Sequence, residues 1–155
     1  MRTRRAKIED ARDISKIQCD TIKYMDSKDY NSKQIKAWLK INRTDEVKNK
    51  IKNKKKDLFV ITNKNKIVGV GSLNINKKEL GSLYVNYKIH RKGIGSKLLN
   101  YVEKYAKKKG IKNLRLFSTI TAFDFYKNKG YKKIRKSYHI INKVKIPCIL
   151  MSKRL

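Results

Sequence analysis

Residues 84–99, YVNYKIHRKGIGSKLL, run from the end of an apolar strand through a basic glycine turn into an amphipathic helix. At Gly93 and Gly95 no Cβ blocks the approach of a ligand to the backbone, and the first N–H groups of the following helix have no acceptor within that helix. Such a helix start attracts anions, and Arg91 and Lys92 add positive charge beside it. The segment therefore predicts a binding site for an anion with more than one phosphate group.

Apolar periodicity and turn residues predict the order of elements in the rest of the chain. Strands are expected at residues 2–7, 58–62, 67–75, 79–85, 113–117, 131–140 and 144–152. Helices are expected at residues 9–19, from an N-cap at Ser32 through Leu39, from Thr44 toward Asp57, from the glycine turn to Gly110, and at residues 122–129.

The strand, helix and strand within residues 79–117 predict a right-handed parallel crossover, whereas the flanking strands pair as hairpins. The fold class that follows is α/β, with a mixed, mostly antiparallel and twisted sheet and helices on both faces. The length favours a single domain over residues 1–155.

Composition narrows the classes of function. Forty-two Lys and Arg against twelve Asp and Glu give a net charge of +30, which attracts polyanions nonspecifically at low salt. Two distant cysteines and two histidines lack the spacing of a metal site or a redox motif, so no metal is expected. No apolar run approaches the roughly 20 residues that cross a bilayer, so no membrane association and a cytoplasmic location are expected.

The glycine spacing chooses among the known phosphate-binding turns. Leu98 stands where a dinucleotide fingerprint needs its third glycine, and the order Gly95, Ser96, Lys97 does not fit a Walker loop. Residues 90–95, HRKGIG, instead closely resemble the acetyl-CoA motif [QR]-x-x-G-x-[GA] of the GNAT superfamily of N-acetyltransferases, with His90 at the first position. The order of elements over nearly the whole chain resembles that family too.

A second segment carries the same resemblance independently. Residues 121–131, TAFDFYKNKGY, are similar to the family segment in which an alanine precedes a Phe-Tyr pair and the segment closes on Gly-Phe or Gly-Tyr. Thr119 occupies a position where many members have Asn, and residues 149–155 resemble the usual final strand.

The resemblance implies an N-acetyltransferase in which a primary amine directly attacks acetyl-CoA, its cosubstrate. It implies that Tyr126 protonates or hydrogen-bonds the departing sulfur. It also implies either that Glu79 is the general base, as in some members, or that water relays the proton, as in many. Glu79 adjoins Lys77 and Lys78, where a solvated ion pair is the ordinary explanation. The implied acetyl-CoA-binding residues are Leu83, Tyr84, Val85, Arg91, Lys92, Gly93, Ile94, Gly95 and Ser96.

The acceptor amine is not identified by the sequence. The region expected to form its side of the cleft contains Tyr24, Asp26, Asp29, Tyr30 and Trp38, with Trp38 more a packing residue than a stacking surface. Two alternatives stay open on the charge of +30: a basic nucleic-acid-binding module that retains the fold, and an acetyltransferase whose substrate is a basic protein or is bound to RNA. A homodimer is also left open.

Overall fold

The computed structural model describes residues 1–25, 28–53, 56–89 and 92–155. Seven strands form one sheet: β1 Arg2–Arg5, β2 Asp57–Asn63, β3 Lys66–Asn74, β4 Glu79–Val85, β5 Asn113–Ser118, β6 Lys132–Ile141 and β7 Val144–Arg154. In the described residues five α-helices accompany it: α1 Ala11–Lys23, α2 Ser32–Lys40, α3 Thr44–Lys52, α4 Ile94–Lys108 and α5 Phe123–Asn128. The described part contains no helix long and apolar enough to cross a membrane.

The sheet is mixed and mostly antiparallel, in the order β1-β2-β3-β4-β5-β7-β6. Its parallel pair is β4 with β5, joined by α4 as the crossover that the sequence predicts. The α/β fold class is thereby confirmed.

Helices cover both faces because side chains of one strand alternate between them. In β2, Phe59 and Ile61 pack in the larger core with Leu98 of α4, whereas Val60 packs in a second core with Ile14 of α1. The sheet is therefore a middle layer, with α4 on one face and α1 on the other.

The parallel pair opens soon after it begins. Glu79 pairs with Arg115 and Leu80 with Leu116, and beyond Leu80 the pairing partner of β4 is β3 alone. A register shift opposite Ser72 leaves Gly81 as the extra residue in β4, and such a bulge increases the local twist. The two central strands therefore diverge toward the start of α4.

Several helix boundaries differ from expectation by a residue or more, and two of the differences have a clear cause. Asn31, rather than Ser32, caps α2, because its side chain accepts a 2.9 Å hydrogen bond from the Gln34 backbone N–H while the Gln34 side chain returns one to Asn31. Helix α1 continues to Lys23, one turn further than expected, because Ile22 extends its buried stripe.

Glycines close the last two helices in the same way. Gly110 after α4 and Gly130 after α5 have φ of 80° and 87°, and the residue after each donates to a carbonyl five positions back. This Schellman ending satisfies carbonyls that a helix otherwise leaves unpaired.

Candidate active site

A cleft of about 1530 Å³ begins at the glycine turn, follows the divergence of β4 and β5, and continues beneath α1 and α2. Gly93 and Ser96 line it near the turn, Tyr126 lines its middle, and Glu79 and Trp38 line it farther along. The structure thus brings both halves of the predicted site into one continuous cavity.

The start of α4 forms the first end of the cleft. Gly93 is its N-cap and has φ of 71°, a left-handed conformation that glycine adopts without strain. A Cβ at Gly93 would have no atom within 4 Å, so the space in front of the turn is open. Within the described residues, no group accepts a hydrogen bond from the N–H of Ile94, Gly95 or Ser96.

The other residues of the predicted phosphate-binding segment differ in their exposure and contacts. Gly95 packs against the Phe125 ring and Val85, where a Cβ would lie 3.5 Å and 3.6 Å from them. Lys92 is exposed beside the turn. The predictions for His90 and Arg91 lie outside the described residues.

The diverging edge of β4 forms the floor between the two ends. Leu83, Tyr84 and Val85 all line the cleft. The Val85 carbonyl accepts a 3.1 Å hydrogen bond from the Thr21 hydroxyl, which attaches α1 to this edge. Burial of the Tyr84 hydroxyl raises its pKa above the ordinary value.

Tyr126 is 7% exposed and is fixed by the glycine that ends its helix. Its carbonyl accepts from the Tyr131 N–H, and its ring packs edge-on between Phe125 and Tyr131, with ring centroids 5.1 Å and 5.7 Å away. Burial raises the pKa of Tyr126, and among the described residues its hydroxyl has no hydrogen-bond partner. The side chain therefore presents a protonated hydroxyl to the cleft.

The hydroxyl of Tyr131 is fixed by contacts with α4 and β7. Its hydroxyl donates a 3.0 Å hydrogen bond to the Glu103 carboxylate on α4, and Lys153 bridges the same carboxylate at 3.0 Å. The position of Tyr126 thus depends on a chain of contacts that joins α5, α4 and β7.

Glu79 lies at the start of β4, where β4 still pairs with β5. Its carboxylate forms an ion pair with Arg115 of β5 at 3.1 Å, and its side chain is 16% exposed. The neighbouring lysines proposed as its ordinary ion-pair partners do not take that place among the described ion pairs. Glu79 lines the cleft, so one of its faces is available to a ligand.

The two tyrosines predicted on the acceptor side differ in burial and contacts. Tyr24 is exposed and stacks on Tyr87 with centroids 4.7 Å apart. Tyr30 is buried, donates to the Pro147 carbonyl at 2.8 Å and accepts from the Ile120 N–H at 3.0 Å. Burial raises the pKa of Tyr30 to about 12, which suits a structural hydroxyl that ties loop to strand.

The one described carboxylate of those expected on the acceptor side, Asp29, does not line the cleft. Asp29 accepts a 2.7 Å hydrogen bond from the Thr121 hydroxyl and is not among the residues that line the cavity. The prediction for Asp26 falls outside the described residues. Trp38 lies against Tyr30 in an edge-on contact with centroids 5.4 Å apart, as expected of a packing residue.

Sequence reasoning missed several polar side chains that line the far end of the cleft. They are Gln18, Asn42, Lys50, Lys56, His139 and Cys148. Gln18 had a readable signal, because a polar residue at the helical spacing between Ile14 and Ile22 stands on a buried stripe. The others come from separate elements, and nothing in their local sequence marks them.

Among the described residues, Gln18 carries a buried polar atom that has no hydrogen-bond partner. It is 4% exposed, and its Oε1 atom has no hydrogen-bond partner among the described residues. A buried carbonyl oxygen without a donor costs about 1–3 kcal/mol, and such a group in a cavity calls for an explanation.

His139 is uncharged at neutral pH. Its ring packs edge-on against Phe117 with centroids 5.1 Å apart, and desolvation lowers its pKa below the ordinary value. No group of three or more His, Cys, Asp or Glu side chains in the described chain is arranged to hold a metal ion.

Fold and cleft together define the class of protein: an α/β domain with a divided central sheet, in which the start of a helix faces the division. The family model described as "Acetyltransferase (GNAT) domain" matches residues 26–155. The chain therefore belongs to the GNAT family of acetyltransferases, and the resemblance drawn from the two sequence motifs is confirmed.

Individual relatives agree with this placement. Over 139 residues the chain is 29% identical to spermidine N(1)-acetyltransferase of Thermoplasma acidophilum, covering 83% of this chain and 86% of the relative. A GCN5-related N-acetyltransferase structure from Rhodopseudomonas palustris superposes with a TM-score of 0.91 at 22% identity, covering 99% of this chain and 95% of that one. The PaiA N-acetyltransferase of T. acidophilum, solved in complex with coenzyme A, superposes with a TM-score of 0.84 at 23% identity, covering 99% and 98%.

Proposed function

We propose that this protein is an acetyl-CoA-dependent N-acetyltransferase in which a primary amine attacks the thioester directly. The observation that carries the proposal is the continuity of the cleft, which runs from the open turn at Gly93 past Tyr126 to Glu79. A phosphorylated acyl donor and an amine can therefore occupy one cavity from opposite ends. The solved PaiA relative, whose structure holds coenzyme A, supports coenzyme A as the carrier of the acyl group.

The start of α4 would hold the diphosphate of the cosubstrate. The N–H groups of Ile94, Gly95 and Ser96 have no acceptor in the described residues and lie at the positive end of the helix dipole. The left-handed Gly93 leaves open the space that a phosphate would occupy. The backbone edge from Leu83 to Val85 would flank the rest of the donor, with α1 held to it through Thr21.

Acetyl-CoA supplies an acyl group activated as a thioester, and Tyr126 is assigned to the sulfur that leaves. A thiol has a pKa of about 8.5, and burial raises the pKa of Tyr126 above its usual value of about 10. Full transfer of the phenolic proton to a thiolate is therefore uphill. The hydroxyl acts best by donating a hydrogen bond that stabilises the thiolate while retaining its own proton.

Glu79 is assigned to the proton that the attacking amine releases. Glu79 lines the cleft, and Arg115 holds its carboxylate in position at 3.1 Å. Proton removal from the amine, directly or through one water, gives the neutral lone pair that attacks. The overall exchange forms one C–N bond, breaks one C–S bond and passes one proton from nitrogen to sulfur.

The test measures acetyl-CoA binding by calorimetry and thiol release with a panel of primary amines. We expect saturable binding of acetyl-CoA and amine-dependent thiol release. Spermidine belongs in the panel because the T. acidophilum relative is named for it. Absence of any heat with acetyl-CoA would refute the proposal.

The charge of +30 supports a second property, the nonspecific binding of polyanions, which is separable from the reaction. A titration with a random RNA should then show affinity that falls steeply with salt, whereas amine acetylation at saturating substrate should change little.

A further inference from the structure

The far end of the cleft is positively charged. Among the described lining residues, three side chains carry a charge at neutral pH: Lys50, Lys56 and Glu79. Glu79 is paired with Arg115, and among the described ion pairs neither Lys50 nor Lys56 has a carboxylate partner, although the charge of Glu46 on α3 acts on Lys50 from outside the cleft lining.

Lys50 is fixed in place. Its Nζ donates to the Ile41 carbonyl at 2.5 Å and lies 3.5 Å from the Asn42 Oδ1 atom. Burial first, and the charge of Lys56 second, lower its pKa, so the two ammonium groups influence each other. Lys50 thus places a second cation behind Lys56.

Lys56 is the accessible member of the pair. It is exposed, and its ammonium reaches over the bulge in β4, 3.7 Å from the point where a Cβ at Gly81 would stand. No described carboxylate lies within ion-pair distance of it. A ligand can therefore reach this ammonium without displacing a partner.

We propose that the amine acceptor of this enzyme carries an anionic group, a carboxylate or a phosphate, which Lys56 binds. The inference rests on the proposed acetyl transfer and names its substrate class. In the cleft, a small polycation would be repelled by two lysines, and Glu79 is already paired. On its approach it would also be repelled by a protein of charge +30. An acceptor with one amine and one anionic group is attracted to the lysines of the cleft through that group. Its anionic group is also attracted by the positive charge of the whole protein.

Gln18 supplies the complementary contact for the amine. The Gln18 side chain lines the same cavity, and its Oε1 atom is buried and lacks a donor among the described residues. With a small rotation of the side chain toward the cleft, an amine N–H would satisfy this oxygen and remove its desolvation penalty. The acceptor is thus bound by a carbonyl oxygen at its nitrogen and by an ammonium at its acid.

The experiment compares amines that differ in the charge of their far end. One pair is 4-aminobutyrate and putrescine, and the other is 2-aminoethyl phosphate and 1,3-diaminopropane, so that carboxylate and phosphate are tested separately. The wild-type protein should show at least a tenfold higher kcat/KM for the anionic member of one pair, about 1.4 kcal/mol. Each compound is also titrated calorimetrically against the CoA-saturated protein, so that a slow substrate still reports an affinity.

Charge reversal at Lys56 tests the proposal, and charge reversal at Lys52 is the matched control. Lys56→Glu should remove the preference or reverse it mainly through KM, and Lys56→Gln should fall between. Lys52→Glu makes the same change in net charge at an exposed position of α3 that does not line the cleft, and it should leave the preference intact.

The outcomes separate the two proposals. Preference of the wild-type protein for the dications, or equal effects of Lys56→Glu and Lys52→Glu, overturns the anionic acceptor while acetyl transfer stands. Failure to bind acetyl-CoA in the same calorimetric series overturns the reaction itself, and the acceptor class with it.

Discussion

The two ends of the cleft are built from different parts of the polypeptide. The proposed donor end is mainly backbone: the Gly93 turn, the first N–H groups of α4 and the edge of β4 that diverges from β5. The acceptor end is mainly side chain: Gln18, Lys50 and Lys56 arrive from separate elements and converge on one cavity. A backbone site suits a ligand common to a whole family, whereas a side-chain site changes with single substitutions.

Tyr126→Phe tests whether the junction of the two ends performs chemistry. The ring and its contacts with Phe125 and Tyr131 are retained, so folding should be unaffected, and only the hydroxyl is lost. We expect kcat to fall about 100-fold with little change in the KM for acetyl-CoA. Tyr138→Phe, at an exposed position on β6, is the matched control. A wild-type kcat would remove Tyr126 from the mechanism.

Gly93→Ala tests the backbone end against a glycine of the same geometry. Gly93 and Gly110 both have positive φ and open space at the Cβ position, so alanine should cost each about 1 kcal/mol of stability. Gly93→Ala alone should raise the KM for acetyl-CoA, by about tenfold, since only Gly93 faces the cleft. Equal kinetic effects from the two variants would mean that the turn does not bind the donor.

Gln18→Met tests the side-chain end. Methionine keeps the length of the side chain but has no carbonyl oxygen that needs a donor, so the free energy of unfolding should rise by about 1 kcal/mol. The KM for the amine should rise several-fold, while acetyl-CoA binding stays the same. A more stable protein with unchanged amine KM would show that Gln18 does not contact the acceptor.

Asp10→Asn tests how firmly α1, which carries Gln18, is seated. Arg4 donates to both carboxylate oxygens at 2.7 Å and 2.9 Å, and this lowers the pKa of Asp10 below its ordinary value. A lowered folded-state pKa gives stability that is present at neutral pH and is lost as the pH falls through that pKa.

The Asp10→Asn variant should therefore lose about 1 kcal/mol at pH 7 and approach the wild type as the pH falls through the lowered pKa of Asp10. Urea unfolding at pH 7 and along an acid series measures the difference. Asp13→Asn, at an exposed position of the same helix, should show no such pH-dependent gap. If the difference in free energy of unfolding between the wild type and Asp10→Asn persisted in acid, the effect would be due to packing rather than to charge.

The sequence pointed to more residues of the proposed donor end than of the proposed acceptor end, for a physical reason. A glycine turn between a strand and a helix is a local pattern, and Glu79–Val85, the bounds of β4, follows directly from local alternation. The convergence of Lys56 with Gln18 depends on how α1 packs over β4, which no short window contains. Asn31 and Ser32 show the same limit on a smaller scale, because only the reciprocal hydrogen bonds with Gln34 decide which residue is the cap.

The short pairing of β4 with β5 has a mechanical consequence. Strands β1 to β4 and strands β5 to β7 form two blocks whose shared ladder consists of the pairs at Glu79 and Leu80, reinforced by the ion pair between Glu79 and Arg115. A ligand lodged in the gap would act as a wedge that locks both blocks together. Under pulling force from the chain termini, a donor-loaded molecule should rupture at a higher load than an empty one, with the difference arising at this seam.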